Sequence, residues 1–355
     1  MKSGKTWIAL VTLSALLATA MPALARSPRP ARSREDLTLP STSRLSVQDT
    51  QANRAQIDRP LDVPVSTRQT ARWGVPSDLN WFVNDPEALS ASSALLMDAD
   101  TGAILFARHH MERRSPASTT KIMTALLILE EGQLDDKVLI SERAAAVSGT
   151  GLGLRRGQRV VLRDLLWAIL LKSANDAALA AAEHVGGSEE QFVARMNAKA
   201  ASLGMQGTQF SNPHGLDHQD HYSTAFDLAI LARQALRNPT FARMVQTREA
   251  QVAILTGRNG SVVKRRVIRT HNQLLGQFSG ADGVKTGYTS LAGRCLVASA
   301  TRGDHQLIAV LLNDSRRWVE AAALLEYGFA ALGGRVSSVG VSNGGSVDML
   351  KGEGG

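Results

Sequence analysis

Residues 93–130 read SALLMDADTGAILFARHHMERRSPASTTKIMTALLILE and contain the signals from which the fold is inferred. Ser93–Asp98 and Ala103–Ala107 are short apolar runs typical of strands, and Asp100-Thr101-Gly102 between them has the turn residues of a hairpin. Pro116 predicts a helix start, because its fixed backbone angle suits the first helical turn. The apolar residues that follow it keep helical spacing. A hairpin followed by a helix is therefore expected here.

The rest of the chain divides into a helical stretch and a second set of strands. Residues 135–245 are dense in Ala and Leu and predict mostly helix, as in Asp164–Ala182 and Gln191–Leu203. Asn259-Gly260 predicts a hairpin turn between strands Gln251–Leu255 and Val262–Ile268. The remaining predicted elements are the strands Gly283–Tyr288, Arg294–Ala300 and Gln306–Leu312 and a closing helix, Arg316–Leu332. We predict an α/β fold of the α+β kind, with a mainly antiparallel sheet flanked by helices and a helical subdomain.

Three short motifs lie in fixed order along this domain: Ser118-Thr119-Thr120-Lys121, Ser173-Ala174-Asn175 and Lys285-Thr286-Gly287. Each motif alone is compatible with an ordinary helix start, helix end or strand end. Together they supply a nucleophile, a proton-handling lysine and a carboxylate-binding strand, which acyl transfer through a serine ester requires. The combination favours a serine acyl-transfer enzyme.

The first motif has the chemistry of a nucleophile and its base. Ser118 is predicted in the first turn of a helix, where free backbone N–H groups and the helix dipole favour developing negative charge. Lys121 is predicted on the same helix face, one turn later. Ser–Lys is a recognised alternative to the Ser-His-Asp triad. The lysine is a base only if its pKa is lowered, which burial and a nearby cation such as Lys285 would achieve.

The other two motifs have the chemistry of proton relay and substrate binding. Ser173 ends or interrupts an apolar helix and could pass a proton between the lysine and a leaving group, while the Asn175 amide could hold a substrate backbone amide. In the third motif, Thr286 is a donor for a terminal carboxylate and Lys285 supplies positive potential. Gly287 leaves room for an extended substrate beside the strand.

The residues around these motifs resemble the penicillin-binding serine peptidases, and within them the low-molecular-mass D-alanyl-D-alanine carboxypeptidases. The similarity is carried by Ala117–Ala125, Phe210–Leu216, Asp282–Thr289 and Ala292-Gly293. It implies a β-lactamase/transpeptidase-like fold with a five-stranded sheet, and an enzyme that uses no cofactor and no metal. It also implies that the enzyme removes the terminal D-alanine from peptidoglycan stem peptides, and that β-lactam antibiotics acylate the same serine.

The same resemblance implies a role for each motif residue. The implied catalytic residues are Ser118, Lys121 and Ser173, and the implied substrate-binding residues are Asn175, Lys285, Thr286, Gly287, Tyr288 and Arg317. The oxyanion hole would be formed by the backbone N–H groups of Ser118 and Tyr288. An arginine ahead of the closing helix helps to hold the carboxylate in such enzymes, and Arg317 is better placed for this than the adjacent Arg316.

Both ends of the chain are predicted to lie outside the catalytic domain, residues 88–332. Residues 1–25 combine a positive start, an apolar run and Ala23-Leu24-Ala25, which predicts a signal peptide cleaved near Ala25 and a periplasmic or secreted protein. The apolar run is shorter than the roughly 20 residues of a membrane span, so no transmembrane span is expected in the mature protein. Residues 26–80 predict a disordered linker, and residues 333–355 a flexible tail without an amphipathic stripe. We expect a soluble enzyme or one peripherally associated with the cell wall or membrane surface.

The net charge of +8 does not indicate nucleic acid as a partner, because aromatic residues make up only 5% of the chain and are not interleaved with a basic run. An anionic cell wall or membrane surface is a sufficient partner for this charge. The single cysteine, Cys295, excludes an intramolecular disulfide. It lies in an apolar run and is expected to be a buried small hydrophobic residue.

Four alternative functions remain to be weighed. A DD-endopeptidase that cuts peptidoglycan cross-links uses the same chemistry, and a non-catalytic binding protein would not need every motif residue. A β-lactamase requires a glutamate in a Glu-x-x-x-Asn setting, which is absent around Glu183, Glu189, Glu190 and Glu249. A metal-dependent hydrolase could draw on the cluster His214, Asp217, His218, Asp220 and His221. Pro213 and Gly215 mark that cluster as a loop whose side chains need not converge.

Overall fold

The computed structural model describes residues 61–62, 81–256, 262–333 and 337–338. Within them the helices are α1 Trp81–Asn84, α2 Lys121–Glu131, α3 Glu142–Ala146, α4 Leu162–Trp167, α5 Asn175–Gly186, α6 Glu189–Ser202, α7 Ala225–Leu236, α8 Pro239–Val245 and α9 Arg317–Leu332. The strands are β1 Leu61–Asp62, β2 Ser93–Asp98, β3 Ile104–Arg108, β4 Lys137–Leu139, β5 Arg159–Val161, β6 Glu249–Thr256, β7 Val262–Arg269, β8 Ala281–Thr289, β9 Gly293–Arg302, β10 His305–Leu312 and β11 Ser337–Ser338. The predicted signal peptide and the Asn259-Gly260 turn lie outside the described residues, as do all of the predicted linker except β1 and nearly all of the predicted tail.

The main sheet has the strand order β3-β2-β10-β9-β8, and all its neighbouring strands are antiparallel. Its inner strands are buried on both faces, because alternate residues pack into different clusters. On β10, Ile308 and Val310 join the cluster formed with α2, α5 and α7. Leu307 and Ala309 join the cluster formed with α9. The predicted antiparallel five-stranded sheet flanked by helices is therefore confirmed.

The hairpin β6–β7 belongs to a second sheet and does not extend the first. This sheet has the order β4-β5-β6-β7 and is antiparallel throughout. Strands β4 and β5 lie within the stretch that we predicted as mostly helical, so the prediction was wrong at these positions. Each strand has only three residues, which is too short for an alternating pattern to be recognised against the Ala- and Leu-rich background.

Two predicted helices begin or break differently from expectation. Ser118 lies in a 3₁₀ turn, Ala117–Thr120, and α2 begins only at Lys121. The predicted helix Asp164–Ala182 is α4, a π-helical turn over Ala168–Lys172, and then α5. The break falls at Ser173, whose φ of 61° is left-handed and cannot continue a right-handed helix. Among the described helices, none has the length and apolar character needed to cross a membrane.

Candidate active site

The nucleophile turn places Ser118 beside Lys121. Ala117, just before the serine, has a φ of 48°, a left-handed conformation that is uncommon for a residue with a side chain. The turn is tied by Thr120, whose hydroxyl lies 2.8 Å from the Ala117 carbonyl oxygen and 2.8 Å from His221 Nε2. The Lys121 Nζ lies 2.9 Å from Ser118 Oγ. The predicted pairing of serine and lysine is therefore present, although the serine is in a 3₁₀ turn and not in an α-helix.

Lys121 is fully buried, and its surroundings favour the neutral amine. Burial is the main cause that holds its pKa well below the ordinary lysine value, and the charge of Lys285 lowers it further against an opposing effect of Asp176. Besides Ser118, Nζ contacts Asn175 Oδ1 at 2.7 Å and the His214 carbonyl oxygen at 2.5 Å. Both of these oxygens only accept hydrogen bonds. A neutral amine that donates its two protons to them has its lone pair left for the Ser118 hydroxyl.

The second motif is positioned by a loop, residues 148–154, that lines the site. The Asn175 Nδ2 donates to the Ser148 carbonyl oxygen at 2.8 Å, which fixes Oδ1 toward Lys121. Asp176, the next residue, accepts hydrogen bonds at 3.0 Å from the backbone N–H groups of both Leu152 and Leu154. The loop is thus held to the start of α5 by a buried carboxylate.

Ser173 connects the second motif to the third. The left-handed conformation of Ser173 turns the chain so that its Oγ accepts a hydrogen bond from Lys285 Nζ at 3.0 Å. Lys285 is 2% exposed and also donates to the Thr286 carbonyl oxygen at 2.8 Å. Burial, and then the charge of Arg317, lower the pKa of Lys285 to about 7. The two buried lysines therefore approach Ser118 and Ser173 from separate elements.

The third motif lies on β8, which is an edge strand of the main sheet. An edge strand presents backbone groups to an extended peptide. A Cβ on Gly287 would lie 3.1 Å from Ala117 Cβ and 3.2 Å from the Ser118 backbone nitrogen. Glycine is therefore what allows the strand to pack this closely on the nucleophile turn. The same packing brings the Ser118 N–H next to the Gly287-Tyr288 segment, as the predicted oxyanion hole requires. The Tyr288 side chain is 65% exposed.

The two arginines at the start of α9 point to different places. Arg317 Nη1 donates to the Gly287 carbonyl oxygen at 2.9 Å and to that of Cys295 at 3.2 Å, so its guanidinium lies against the third motif. Arg316 instead pairs with Glu320 at 3.0 Å. This geometry supports Arg317 as the one of the pair that reaches the site. Cys295 is fully buried, and burial raises the pKa of its thiol to about 11.

The histidine-rich loop contacts the site through its backbone and through the His221 ring. A Cβ on Gly215, where φ is 82°, would lie 2.0 Å from the Ala117 carbonyl oxygen, and the His214 carbonyl reaches Lys121. The His221 ring bonds Thr120 through Nε2 and accepts the Ser211 N–H through Nδ1 at 2.9 Å. In the described part of the chain, no three potential metal ligands come together. The metal-site alternative therefore has no geometric support.

Asp217, another member of that cluster, links two segments next to the site. Its Oδ1 accepts hydrogen bonds from Thr289 Oγ1 at 2.6 Å and from Ser115 Oγ at 3.2 Å. The end of β8 and the approach to the nucleophile turn are therefore tied to one carboxylate. Sequence reasoning missed this link, and it also missed Asp176 and the carbonyl groups of Ser148 and His214.

Comparison with known proteins agrees with this geometry. The model of the D-alanyl-D-alanine carboxypeptidase family matches residues 81–316. The chain is 39% identical over 251 residues to the D-alanyl-D-alanine carboxypeptidase DacF of Bacillus subtilis, which covers 68% of this chain and 63% of DacF. It is 35% identical over 248 residues to DacB2 of Mycobacterium tuberculosis, which covers 68% of this chain and 82% of DacB2.

Solved structures show the same fold. The crystal structure of the Streptomyces K15 DD-transpeptidase matches with a TM-score of 0.64 and 33% identity, covering 68% of this chain and 98% of that one. The D-alanyl-D-alanine carboxypeptidase DacD of Francisella tularensis matches with a TM-score of 0.63 and 30% identity, covering 68% and 70%. The fold of the chain is thus that of DD-peptidase and DD-transpeptidase structures. The chain belongs to the D-alanyl-D-alanine carboxypeptidase family, and it spans 63% of the length of DacF and 65% of that of DacD of Salmonella typhimurium.

Proposed function

We propose that this protein is a serine-type D-alanyl-D-alanine carboxypeptidase that removes the terminal D-alanine from peptidoglycan stem peptides. The observation that carries the proposal is the buried Lys121 amine, 2.9 Å from Ser118 Oγ, whose other two partners are carbonyl oxygens. This arrangement leaves the lone pair of a neutral lysine for the serine proton. Family membership supplies the substrate class.

In the acylation step, Ser118 Oγ attacks the carbonyl carbon of the penultimate D-alanine while its proton passes to Lys121. The backbone N–H groups of Ser118 and Tyr288 stabilise the oxyanion that develops. The C–N bond to the terminal D-alanine then breaks, and Ser173 relays to its nitrogen the proton that Lys121 had received, so that Lys121 is neutral again. Ser173 is held in place for this relay by the hydrogen bond from Lys285. The product is an ester on Ser118, which water hydrolyses to complete the turnover.

The substrate is held as an added strand beside β8. The terminal carboxylate meets Lys285, Thr286 and Arg317, whose guanidinium lies against Gly287. The Asn175 side-chain amide lies at the opposite wall of the site. It accepts a hydrogen bond from Lys121 and also binds a backbone amide of the substrate. A β-lactam carries a carboxylate and a strained amide in a similar relation, so it acylates the same serine and acts as a covalent inhibitor.

We further infer that the protein acts outside the cytoplasm. Residues 1–25 have the charge and apolar pattern of a signal peptide cleaved near Ala25. Peptidoglycan stem peptides are processed on that side of the membrane. Residues 88–332 form the proposed catalytic domain, between a linker over residues 26–80 and a tail over residues 333–355. N-terminal sequencing of the exported protein tests the cleavage site.

The deciding experiment is intact-mass spectrometry after brief exposure to benzylpenicillin. The expected result is a persistent adduct of one penicillin on the wild type and on Ser202→Ala, an exposed serine far along α6, and none on Ser118→Ala. Release of D-alanine from a synthetic peptide ending in D-alanyl-D-alanine then establishes the carboxypeptidase. Consumption of penicillin without an adduct indicates a β-lactamase, and intact penicillin without an adduct removes the acylation mechanism.

A second candidate is transfer of the acyl group to an amine, which the close match to a DD-transpeptidase structure favours. The same acyl-enzyme serves both reactions, and they differ only in whether water or an amine resolves it. Adding a glycyl peptide as acceptor separates them, because transfer produces a longer peptide at the expense of the hydrolysed product. A cross-linked muropeptide as substrate tests the DD-endopeptidase alternative in the same way.

A further inference from the structure

The four-stranded sheet has one covered face and one open face. Val138, Val160 and Ile254 are cross-strand neighbours and are all at most 2% exposed, so this side of the sheet packs on the body of the protein. Side chains alternate between faces along each strand. The residues on either side of these three therefore point away from the protein, and in the described residues they are exposed or half-exposed.

The open face carries a cross-strand row with aliphatic side chains on β4, β6 and β7 and an arginine on β5. The register aligns Leu139, Arg159, Leu255 and Val263 as successive neighbours. Leu139 is 55% exposed and Val263 is 51% exposed. Val267, on the same side of β7, is 50% exposed. Val262, also 50% exposed, lies on the other side of β7, so three of the four exposed aliphatic side chains of this sheet share the open face. Large aliphatic side chains that share an exposed face indicate a contact surface, whereas scattered ones are ordinary.

Cations accompany the aliphatic residues on the same face. Strands β4 to β7 contain six lysines and arginines and one acidic residue, Glu249. The cations on the open side are Lys137, Arg159, Arg265 and Arg269. Glu249 pairs with Arg269 at 2.7 Å. The other nearby carboxylate, Asp164, accepts the Ala253 N–H at 2.8 Å. Neither Arg159 nor Arg265 makes a direct ion pair among the described residues. Burial raises the pKa of the Asp164 carboxyl, however, and the charge of Arg265 acts on that carboxyl to lower it. The Arg159 charge is therefore the more available of the two to an outside partner.

We propose that this open face, formed by β4 to β7, docks the protein onto the surface of an anionic lipid bilayer. Arginine and lysine side chains bind lipid phosphate groups, and aliphatic side chains between them enter the boundary of the headgroups and acyl chains. A soluble acidic polymer would need the cations but would leave Leu139 and Val263 in water. The combination on one face therefore favours the bilayer over a polymer.

Docking in this orientation would bring the candidate active site close to the membrane. Arg266, on the covered side of β7, donates a hydrogen bond to the Leu152 carbonyl oxygen. Leu152 belongs to the loop of residues 148–154 that supports Asn175. The loop therefore contacts β7 on the covered side of the sheet, and a bilayer on the open side would be separated from the loop by the thickness of this sheet. This inference does not depend on the proposed reaction, since it rests only on the face.

The test is co-sedimentation of the full chain with lipid vesicles. Vesicles of phosphatidylcholine are compared with vesicles of equal parts phosphatidylcholine and phosphatidylglycerol, at low and at physiological salt. Arg159→Glu with Arg265→Glu reverses two unpaired charges on the face. Arg237→Glu with Arg243→Glu makes the same change in net charge at two exposed residues, the first directly after α7 and the second in α8. Leu139→Ser with Val263→Ser removes the aliphatic contribution, and thermal unfolding shows that each variant is folded.

The expected result is binding to the anionic vesicles that weakens with salt. It falls by at least about tenfold in the arginine face variant, because each basic residue near an anionic surface contributes several-fold. The aliphatic variant also loses binding, and the control variant keeps it. Unchanged binding by the arginine variant, or no binding by the wild type, overturns the proposal. Unchanged vesicle binding by the aliphatic variant, together with competition by soluble polyphosphate, overturns it in favour of an acidic polymer.

Discussion

Asp176 is the residue whose removal tests most directly how the candidate site is held together. Its carboxylate is buried and accepts the backbone N–H groups of Leu152 and Leu154, each at 3.0 Å. The loop wraps it closely, since a Cβ on Gly151 would lie 2.8 Å from Oδ2. The substitution Asp176→Ala therefore leaves the two buried loop donors without a partner, and it also removes the acceptor of the Ala177 N–H at the start of α5. It also releases the loop that supports Asn175.

The size of the effect follows from those two hydrogen bonds. A buried donor left unsatisfied costs about 1–3 kcal/mol. Two of them give about 2–6 kcal/mol, and the lower half applies because the half-exposed loop can move to reach water. For a domain of this size each kcal/mol lowers the unfolding midpoint by about 2–4 °C, so a cost of about 2–4 kcal/mol should lower it by about 4–16 °C. With Asn175 no longer fixed toward Lys121, acylation by benzylpenicillin should slow by about tenfold or more.

Thermal unfolding and stopped-flow acylation measure the two effects on the same preparation. Asp304→Ala, at an exposed turn between β9 and β10, is the matched control and should change neither quantity. A loss of stability with an unchanged acylation rate would show that Asn175 is held without the loop. If Asp176→Ala keeps both the midpoint and the rate of the wild type, the reasoning about this carboxylate is refuted.

Three further predictions concern the lysines, the arginine pair and the cysteine. The rate of acylation should be bell-shaped in pH: it is lost on the acid side as Lys121 gains a proton, well below the ordinary 10.5 of a lysine, and it declines above about 7 as Lys285 loses its charge. An acid limb near pH 10.5 would contradict this. Arg317→Ala should lower kcat/KM by about 10- to 100-fold, since it removes a charge-assisted bond to the substrate carboxylate, whereas Arg316→Ala should leave it within about twofold; equal losses would contradict the assignment. Cys295 should resist a thiol reagent at about pH 8 in the folded protein and react on unfolding, because its thiol is buried and its pKa is about 11; rapid labelling of the native protein would contradict its burial.

Local signals in the sequence were sufficient for the main sheet. Ser93–Asp98 was predicted to the residue, because a short apolar run next to Asp100-Thr101-Gly102 has few other solutions. The closing helix, predicted over Arg316–Leu332, begins one residue later. The sequence could not predict that β6 and β7 belong to a separate sheet. It depends on pairing with β4 and β5, which have three residues each and no pattern of their own.

The candidate site was also only partly predictable from the sequence. Side-chain chemistry in the three motifs predicted that Ser118, Lys121, Ser173 and Lys285 would meet, and their hydrogen bonds connect them in pairs. What sequence reasoning could not find are the backbone contributions. The His214 carbonyl reaches Lys121 only because the loop is folded against Ala117, and any residue type has a carbonyl. The histidines were considered as metal ligands, whereas in the structure their loop contributes the His214 carbonyl and the His221 ring, which bonds Thr120.

The order of strands in the main sheet also determines when the site can form during synthesis. β10 is the central strand of the sheet and the last of its five strands along the chain. It separates β2, whose hairpin precedes the nucleophile turn, from β9 and from β8, the strand that carries the third motif. A chain that has emerged only as far as Thr289 has every motif residue but lacks the strands that join its two halves. Because contacts of such long sequence separation form late, we expect the candidate site to be complete only when nearly all of the domain has been synthesised. A shorter nascent chain would carry Ser118 and Lys121 without the sheet that places the third motif beside them.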